Sequence, residues 1–203
     1  MHHSDALIIG SGLAAFTTAL HLADHKHVTI LTKRKLLDGA SAWAQGGIAA
    51  VQASHDSEEA HIRDTLIAGA GLCNEQVTRF VVSQGREMID WLTGQGVDFT
   101  REDTASGFHL TREGGHSERR VVHAADATGL AVQTSLLERV RRHPNITLLE
   151  HHIAIDLITG RHTGDDERRV YGVYALDNES GRVETFSAGY VVLATGGAGK
   201  VYL

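Results

Sequence analysis

Residues 5–15 read Asp-Ala-Leu-Ile-Ile-Gly-Ser-Gly-Leu-Ala-Ala, a short apolar strand that runs into a glycine turn opening a helix. The spacing is that of the G-x-G-x-x-[G/A] dinucleotide fingerprint, with Ala15 in its last position. Gly10 makes the tight turn, Gly12 lets the backbone approach a pyrophosphate, and Ala15 allows close packing of helix on strand. The phosphates would sit on the free N–H groups at the positive end of that helix. Phe16, Leu20 and Ala23 mark its buried side, and a second strand, Val28-Thr-Ile-Leu31, closes a βαβ unit.

The end of that second strand departs from the simple NAD pattern. An acid gripping the ribose hydroxyls belongs about twenty residues beyond the turn, where this chain has Thr32-Lys33-Arg34. One reading is a preference for a 2′-phosphate, as in NADP. The other is a flavin protein in which Lys33 and the backbone hold the adenosine end.

Composition limits the remaining classes. A chain of 203 residues is enough for one substantial α/β domain or for part of a larger one. The net charge of −6, with acids and bases interspersed, argues against a nucleic-acid or polybasic membrane partner. No apolar run approaches a membrane span, and no signal peptide precedes the first strand. The single Cys73 excludes an internal disulfide and a thiolate cage, which suits the cytoplasm, and reads as a small buried hydrophobe. The histidines are too scattered to suggest a metal, and none is expected.

The chain reads as one continuous fold. A glycine- and alanine-rich loop spans residues 38–53, followed by a helix from about Ser57 to Ala68. Another helix is expected from Glu75 to about Thr93, with Val77, Val81, Gln84, Met88 and Trp91 forming its core-facing stripe. An irregular segment, 96–118, leads to a helix starting near Ala127 with Leu130, Leu137 and Val140 on its apolar side. A strand at Ile146–Leu149 precedes an antiparallel set near 153–159, 169–177 and 182–187. A last strand, Tyr190–Ala194, enters a second glycine turn, Thr195-Gly196-Gly197-Ala198-Gly199. The expected class is α/β: an FAD-binding, doubly wound, Rossmann-like parallel sheet with an inserted antiparallel β-meander separating its two parts. The sheet then lacks a closing strand. Residues 1–203 are therefore expected to be the N-terminal part of an FAD-binding domain, without the substrate-capping and C-terminal helical domains of a longer enzyme.

Longer motifs narrow the class. Ala40-Ser-Ala-Trp-Ala-Gln-Gly-Gly-Ile-Ala-Ala50 resembles the flavin-cradling loop of the succinate dehydrogenase and fumarate reductase flavoprotein superfamily. The Ala194-Thr-Gly-Gly197 turn fits the same group. Asp64-Thr-Leu-Ile-Ala-Gly-Ala-Gly71, His109-Leu-Thr-Arg-Glu-Gly-Gly-His-Ser117 and His123-Ala-Ala-Asp-Ala-Thr-Gly129 resemble its L-aspartate oxidase branch, over essentially the whole chain.

Two positions separate the branches. Several dicarboxylate enzymes of the superfamily carry a histidine in the flavin loop that bonds covalently to the ring. Here the matching residue is Ala40, which has no nucleophile, so FAD is expected to be non-covalent. The second is Glu113, where the dicarboxylate enzymes have an apolar aromatic residue. Aspartate differs from succinate by an α-ammonium, and a carboxylate beside it offers a charge-assisted hydrogen bond of about 1.5–3 kcal/mol. The same carboxylate repels a substrate lacking the ammonium.

Further roles follow from the resemblance. Ser11, Gly12, Leu13 and Ala14 would face the pyrophosphate through the backbone, after the Gly10 turn, with Lys33 at the adenosine end. Ser41, Ala44, Gln45, Gly46 and Gly47 would pass beside the flavin. Ala154 would meet the adenine, and Thr195, Gly196 and Gly197 would approach the cofactor from the second turn. His109 and Thr111 would join Glu113 at the substrate. His116 would support the site, His123 would be structural, and Arg119 and Arg120 would be a solvated pair or carboxylate partners. The implied reaction is oxidation of L-aspartate to iminoaspartate, with O2 or fumarate as electron acceptor. The alternatives are a fumarate reductase or succinate dehydrogenase-type flavoprotein and a non-catalytic FAD-binding fragment, and residues 1–203 alone are expected to be inactive. The imine would pass to quinolinate synthase, in de novo NAD biosynthesis. The oligomeric state is open, a monomer included.

Overall fold

The opening apolar run forms β1, His2–Ile9, which takes in both leading histidines as well as the buried Ala6–Ile9 segment. The computed structural model describes residues 1–103, 107–125, 127–165 and 168–197. Within it the chain packs as two units, Met1–Ala42 with Leu136–Leu203, and Trp43–Ser135.

In the first unit, α1 (Leu13–Ala23) follows the glycine turn and buries Ala15, Phe16, Ala19 and Ala23. Next comes β2, Val28–Leu31, buried along its whole length as a central parallel strand requires. A 3-10 turn, Ala40–Trp43, closes the first stretch of the first unit and enters the second, whose first strand is β3, Ile48–Ala49. Its helices are α2 (Glu58–Ala68), α3 (Glu75–Ser83) and α4 (Gly85–Gly94). Ser57 caps α2 by accepting from the Ala60 N–H, and Asn74 caps α3 by accepting from Val77. The short strands β4 (Leu110–Thr111) and β5 (Val121–Val122) join β3 in a three-stranded sheet ordered β3-β5-β4. Helix α5, Thr128–Arg142, contains the boundary between the units.

The remaining elements are β6 (Ile146–Leu149), β7 (His152–Thr159), the helical turn α6 (Gly160–Thr163), β8 (Val170–Asp177) and β9 (Arg182–Leu193). The main sheet has six strands in the order β6-β2-β1-β9-β8-β7. Its β6-β2-β1-β9 part is parallel, and β9-β8-β7 is the antiparallel meander. Leu7, Ile9, Leu31, Val173, Ala175, Phe186 and Ala188 form the core over this junction.

The antiparallel meander is inserted in the chain between β6 and the stretch of β9 parallel to β1, as expected. Other sequence expectations are corrected, and the first concerns Tyr190–Ala194, which is not a separate strand. Residues 182–187 pair antiparallel with β8, and Phe186–Leu193 continue parallel to β1. Gly189 lets this strand pass Asp5 closely, since a Cβ there would stand 3.3 Å from the Asp5 carbonyl oxygen.

The expected helix over 75–93 is divided at Gln84, and its stripe lies one position away from the expected one. Val77 and Val81 are 57% and 61% exposed, whereas Val82 and Ile89 are buried. The inward line runs Val82-Gly85-Ile89, because Gly85 lets the backbone approach Ala50, 3.3 Å from where a Cβ would stand. In α5, Leu130 is likewise exposed, and Val132 and Leu136 join Leu137 and Val140 on the buried side. Cys73 is half-buried rather than buried, its thiol donating to the Thr65 carbonyl.

Candidate functional site

The candidate nucleotide-binding residues of the first unit in the two glycine turns and at Lys33 lie at the carboxyl ends of β2, β1 and β9. The Gly10 N–H donates to Leu31 O at 2.8 Å, and the Ala194 N–H donates to Ile9 O at 2.9 Å. Three turns therefore leave the sheet side by side, at the place where the chain goes to opposite sides of β1. This is the topological switch point where open α/β sheets bind ligands. Gly10 has φ +120°, and a Cβ there would collide with the Ala194 carbonyl, so only glycine fits.

Gly12 begins α1 with no side-chain cap. The Leu13 N–H instead reaches Ser41 Oγ at 3.2 Å, and a Cβ on Gly12 would stand 3.2 Å from the same oxygen. Ser11 turns its hydroxyl inward to Thr32 Oγ1 at 3.1 Å. Its backbone, with those of Gly12, Leu13 and Ala14, is what the turn presents. Lys33 is exposed just beyond β2, and Thr195, Gly196 and Gly197 are exposed beyond β9. Ala198, Gly199 and Asp126 of the sequence motifs lie outside the described residues. Ala154 sits on β7, opposite Ala175 and packed against the core. The start of β7 is tied to the end of β2 by a 2.9 Å bond from the His152 N–H to Thr32 O. A helix start whose N-cap Gly12 makes no side-chain cap bond, a glycine where a Cβ would fill the cradle, and a cation past β2 fit the dinucleotide of FAD.

In the second unit, Ala44, Gln45 and Gly46 are exposed, and Ala44 O accepts from the Gly129 N–H at 2.9 Å. Gly47 has φ +92°, and a Cβ there would lie 2.6 Å from Val122 O. The loop is thereby held flat against β5. His109 and Thr111 alternate to one face of the β4 strand line. Glu113 follows in an exposed turn closed by the His116 N–H donating to Glu113 O at 3.2 Å. A cavity of about 570 Å³ beside this turn is lined by His55, Thr111, Arg112, Ser117, Glu118 and Arg119, and includes neither His109 nor Glu113.

Of the two readings of Arg120, one of a solvated pair or a carboxylate partner, the structure bears out the second: it is fully buried. Its Nε and Nη2 donate to both oxygens of Asp56 at 2.8 Å, and its Nη1 donates to Asp64 Oδ2. Nη1 also donates to His116 Nδ1 at 3.2 Å, while the Ser117 N–H and hydroxyl both donate to Asp64 at 2.7 Å. The exposed turn bearing Glu113 thus ends in a buried ion cluster. The available signal was the pairing of Asp56 and Asp64, eight residues apart around the start of a helix, with a later arginine; no short motif announces it.

Burial pushes the Asp56 and Asp64 carboxyls up, but the bonds from Arg120, Ser57 and Ser117 outweigh it and hold both below the usual carboxylate range. His61, buried with an unpartnered Nδ1, is held below its ordinary value by burial and then by the charge of Arg120. All three shifts are depressions, so each group's stability contribution is present above its unfolded pKa and lost as pH falls. The loss begins near pH 6.5 with His61 and deepens below about pH 4 with the aspartates. Thermal midpoints measured from pH 8 to pH 3 should fall in these two stages, and His61→Gln should remove the upper one. An unchanged upper stage in that variant would contradict the assignment.

Residues 5–202 match the family model described as FAD binding domain. The chain is 60% identical over 200 residues to L-aspartate oxidase 1 of Ralstonia nicotianae, covering 98% of the chain and 38% of that protein. It is 51% identical to L-aspartate oxidase of Pseudomonas aeruginosa, covering 100% of the chain and 39% of that protein. The chain therefore spans under two-fifths of the length of these relatives. Among solved structures, E. coli quinol fumarate reductase superposes with a TM-score of 0.91 at 29% identity, over 100% of this chain and 34% of that one. The Mycobacterium smegmatis Sdh1 complex gives 0.88 at 26% identity, over 98% of this chain and 35% of that one.

Proposed function

Since this chain belongs to the FAD binding domain family, and its cofactor is FAD, we propose that it carries the FAD-binding part of an L-aspartate oxidase. The reaction is oxidation of L-aspartate to iminoaspartate, with O2 or fumarate as final acceptor. Its product is an imine fit for quinolinate formation in NAD biosynthesis in the cytoplasm. No described helix is long and apolar enough to cross a membrane.

The observation that carries the substrate assignment is Glu113. Its carboxylate is exposed on a turn anchored from below by the Asp64–Arg120 cluster, and it has no partner among the described residues. A free, positioned carboxylate fits an α-ammonium and disfavours a plain dicarboxylate. Bound FAD supplies the two-electron acceptor. The chain's own residues hold the cofactor's phosphates on the Gly10–Ala14 turn, leave its ring unbonded at Ala40, and orient the amine at Glu113.

Glu113→Gln in the FAD-loaded protein should retain the cofactor and lose about 2 kcal/mol of transition-state stabilisation with L-aspartate, about thirtyfold in kcat/KM. Fumarate reduction, which involves no amine, should change far less. Equal losses on both substrates would make Glu113 a structural residue and remove the support for aspartate.

A further inference from the structure

Helix α2 is the bed on which the turn bearing Glu113 lies. His61, Asp64 and Ala68 have the i, i+3, i+7 spacing that lines one side of a helix. Each meets a different residue of the segment after Glu113. Ala68 Cβ lies 3.7 Å from where a Cβ on Gly115 would stand. The His61 and His116 rings are tilted against each other, with centroids 5.6 Å apart. Asp64 Oδ2 accepts from both the Ser117 N–H and the Ser117 hydroxyl at 2.7 Å. Gly115, at φ +85°, supplies the left-handed step of the turn, which the His116 N–H closes on Glu113 O at 3.2 Å.

Of these contacts only the pair at Ser117 is directional and charge-assisted, so it fixes where the turn sits along α2. Asp64 is not needed to neutralise Arg120, whose Nε and Nη2 already engage both oxygens of Asp56. A second carboxylate, with only 11% of its side chain exposed, adds negative charge in a place that disfavours it. What offsets that cost is the set of donors on Oδ2: Arg120 Nη1 and the two groups of Ser117. Arg120 Nη2 also donates to Ser117 Oγ at 3.4 Å, which aims the hydroxyl proton at Asp64. Ser117 itself is exposed. The buried carboxylate is thus joined to a surface turn, and the turn is the one that carries Glu113.

We propose that Asp64 is the positioning residue for recognition of the substrate amine, holding the 113–117 turn in the register along α2 that presents the Glu113 carboxylate. The inference rests on the aspartate oxidase reading and extends it from the residue that meets the ammonium to the one that places it. Asp64 touches no substrate and moves no proton, and it acts through Glu113 alone.

Two measurements test this. The first is amide hydrogen exchange, read by 1H–15N spectroscopy. Asp64→Asn should speed exchange at the Ser117 amide about tenfold and leave the protection of α3 and α4 unchanged. The second is steady-state kinetics of the FAD-loaded protein. Asp64→Asn should lower kcat/KM for L-aspartate about tenfold, mainly through KM, and leave fumarate reduction nearly unchanged. In the Glu113→Gln background the same substitution should cost nothing further, because the group it places is gone. Ser117→Ala, at an exposed position, keeps the fold even where Asp64→Asn does not. It should show the same pattern at smaller size, and Ser117→Thr, which keeps the hydroxyl, should restore activity. Equal losses for aspartate and fumarate, a full further loss in Glu113→Gln, or unchanged exchange at Ser117 would overturn the proposal. If Asp64→Asn frees the Ser117 amide but the unsubstituted protein oxidises no aspartate, the function reading fails. The amine role then falls with it, while Asp64 remains the anchor of the turn.

Discussion

Arg120→Ala is expected to destabilise the protein by about 3–5 kcal/mol, the range for removing one partner of a buried ion pair. The loss comes less from missing attraction than from what remains. Asp56 has a fully buried side chain, Asp64 a nearly buried one, and both would be left without their cation. A urea midpoint that falls steeply at unchanged slope would show this. Arg120→Lys should recover only part of the loss, because one ammonium cannot reproduce the two-pronged bond to Asp56. Arg79, exposed between Glu59 and Glu75, is the natural control. Arg79→Ala should leave the midpoint nearly unchanged, as loss of an exposed pair does. Similar losses at the two arginines would mean that the Arg120 cluster is open to water.

Gly12→Val is expected to yield folded protein that carries almost no FAD. Gly12 has ordinary extended torsions, φ −80° and ψ −176°, so a side chain strains no backbone. Its Cβ would instead occupy the space in front of the α1 N–H groups, already 3.2 Å from Ser41 Oγ. Gly10→Val differs, since φ +120° and the Ala194 carbonyl forbid a side chain there, and it should cost folding itself. A flavin absorbance ratio near that of the unsubstituted protein in Gly12→Val would show that this turn does not hold the pyrophosphate.

The parts of the fold legible in the sequence are those fixed by local chemistry. The spacing Gly10-x-Gly12-x-x-Ala15, the β-branched run Val28–Ile30 and the Ser57 cap each specify a backbone state within a few residues. Their elements stand where the sequence puts them. What was missed depends on partners distant in sequence. The Val77–Val81 stripe has perfect helical spacing, yet Gly85 against Ala50 decides which side turns inward. Strand β9 reads as two strands because its partner changes from β8 to β1 at Phe186, and nothing local marks the exchange. Arg120 stays open in sequence between a solvated pair and a carboxylate partner, and only Asp56 and Asp64, arriving from α2 and the loop before it, decide for the second. The His109–His123 contact likewise needs the β4–β5 register, since the two rings are fourteen residues apart.

The site residues divide in the same way. The phosphate turn is a backbone device and therefore readable from its glycines. Glu113 is readable only as a departure from an aromatic residue in related enzymes. Its geometric support, the Ser117–Asp64–Arg120 chain, appears only in three dimensions.

The central claim, that this FAD-binding chain serves an aspartate-oxidising enzyme, is tested most directly by anaerobic reduction of the FAD-loaded protein. L-Aspartate and succinate are added in separate, otherwise identical cuvettes, and the oxidised flavin band is followed. The account predicts that L-aspartate bleaches the band and that succinate, which has no ammonium for Glu113, leaves it largely intact. Bleaching by succinate with no response to L-aspartate would contradict it.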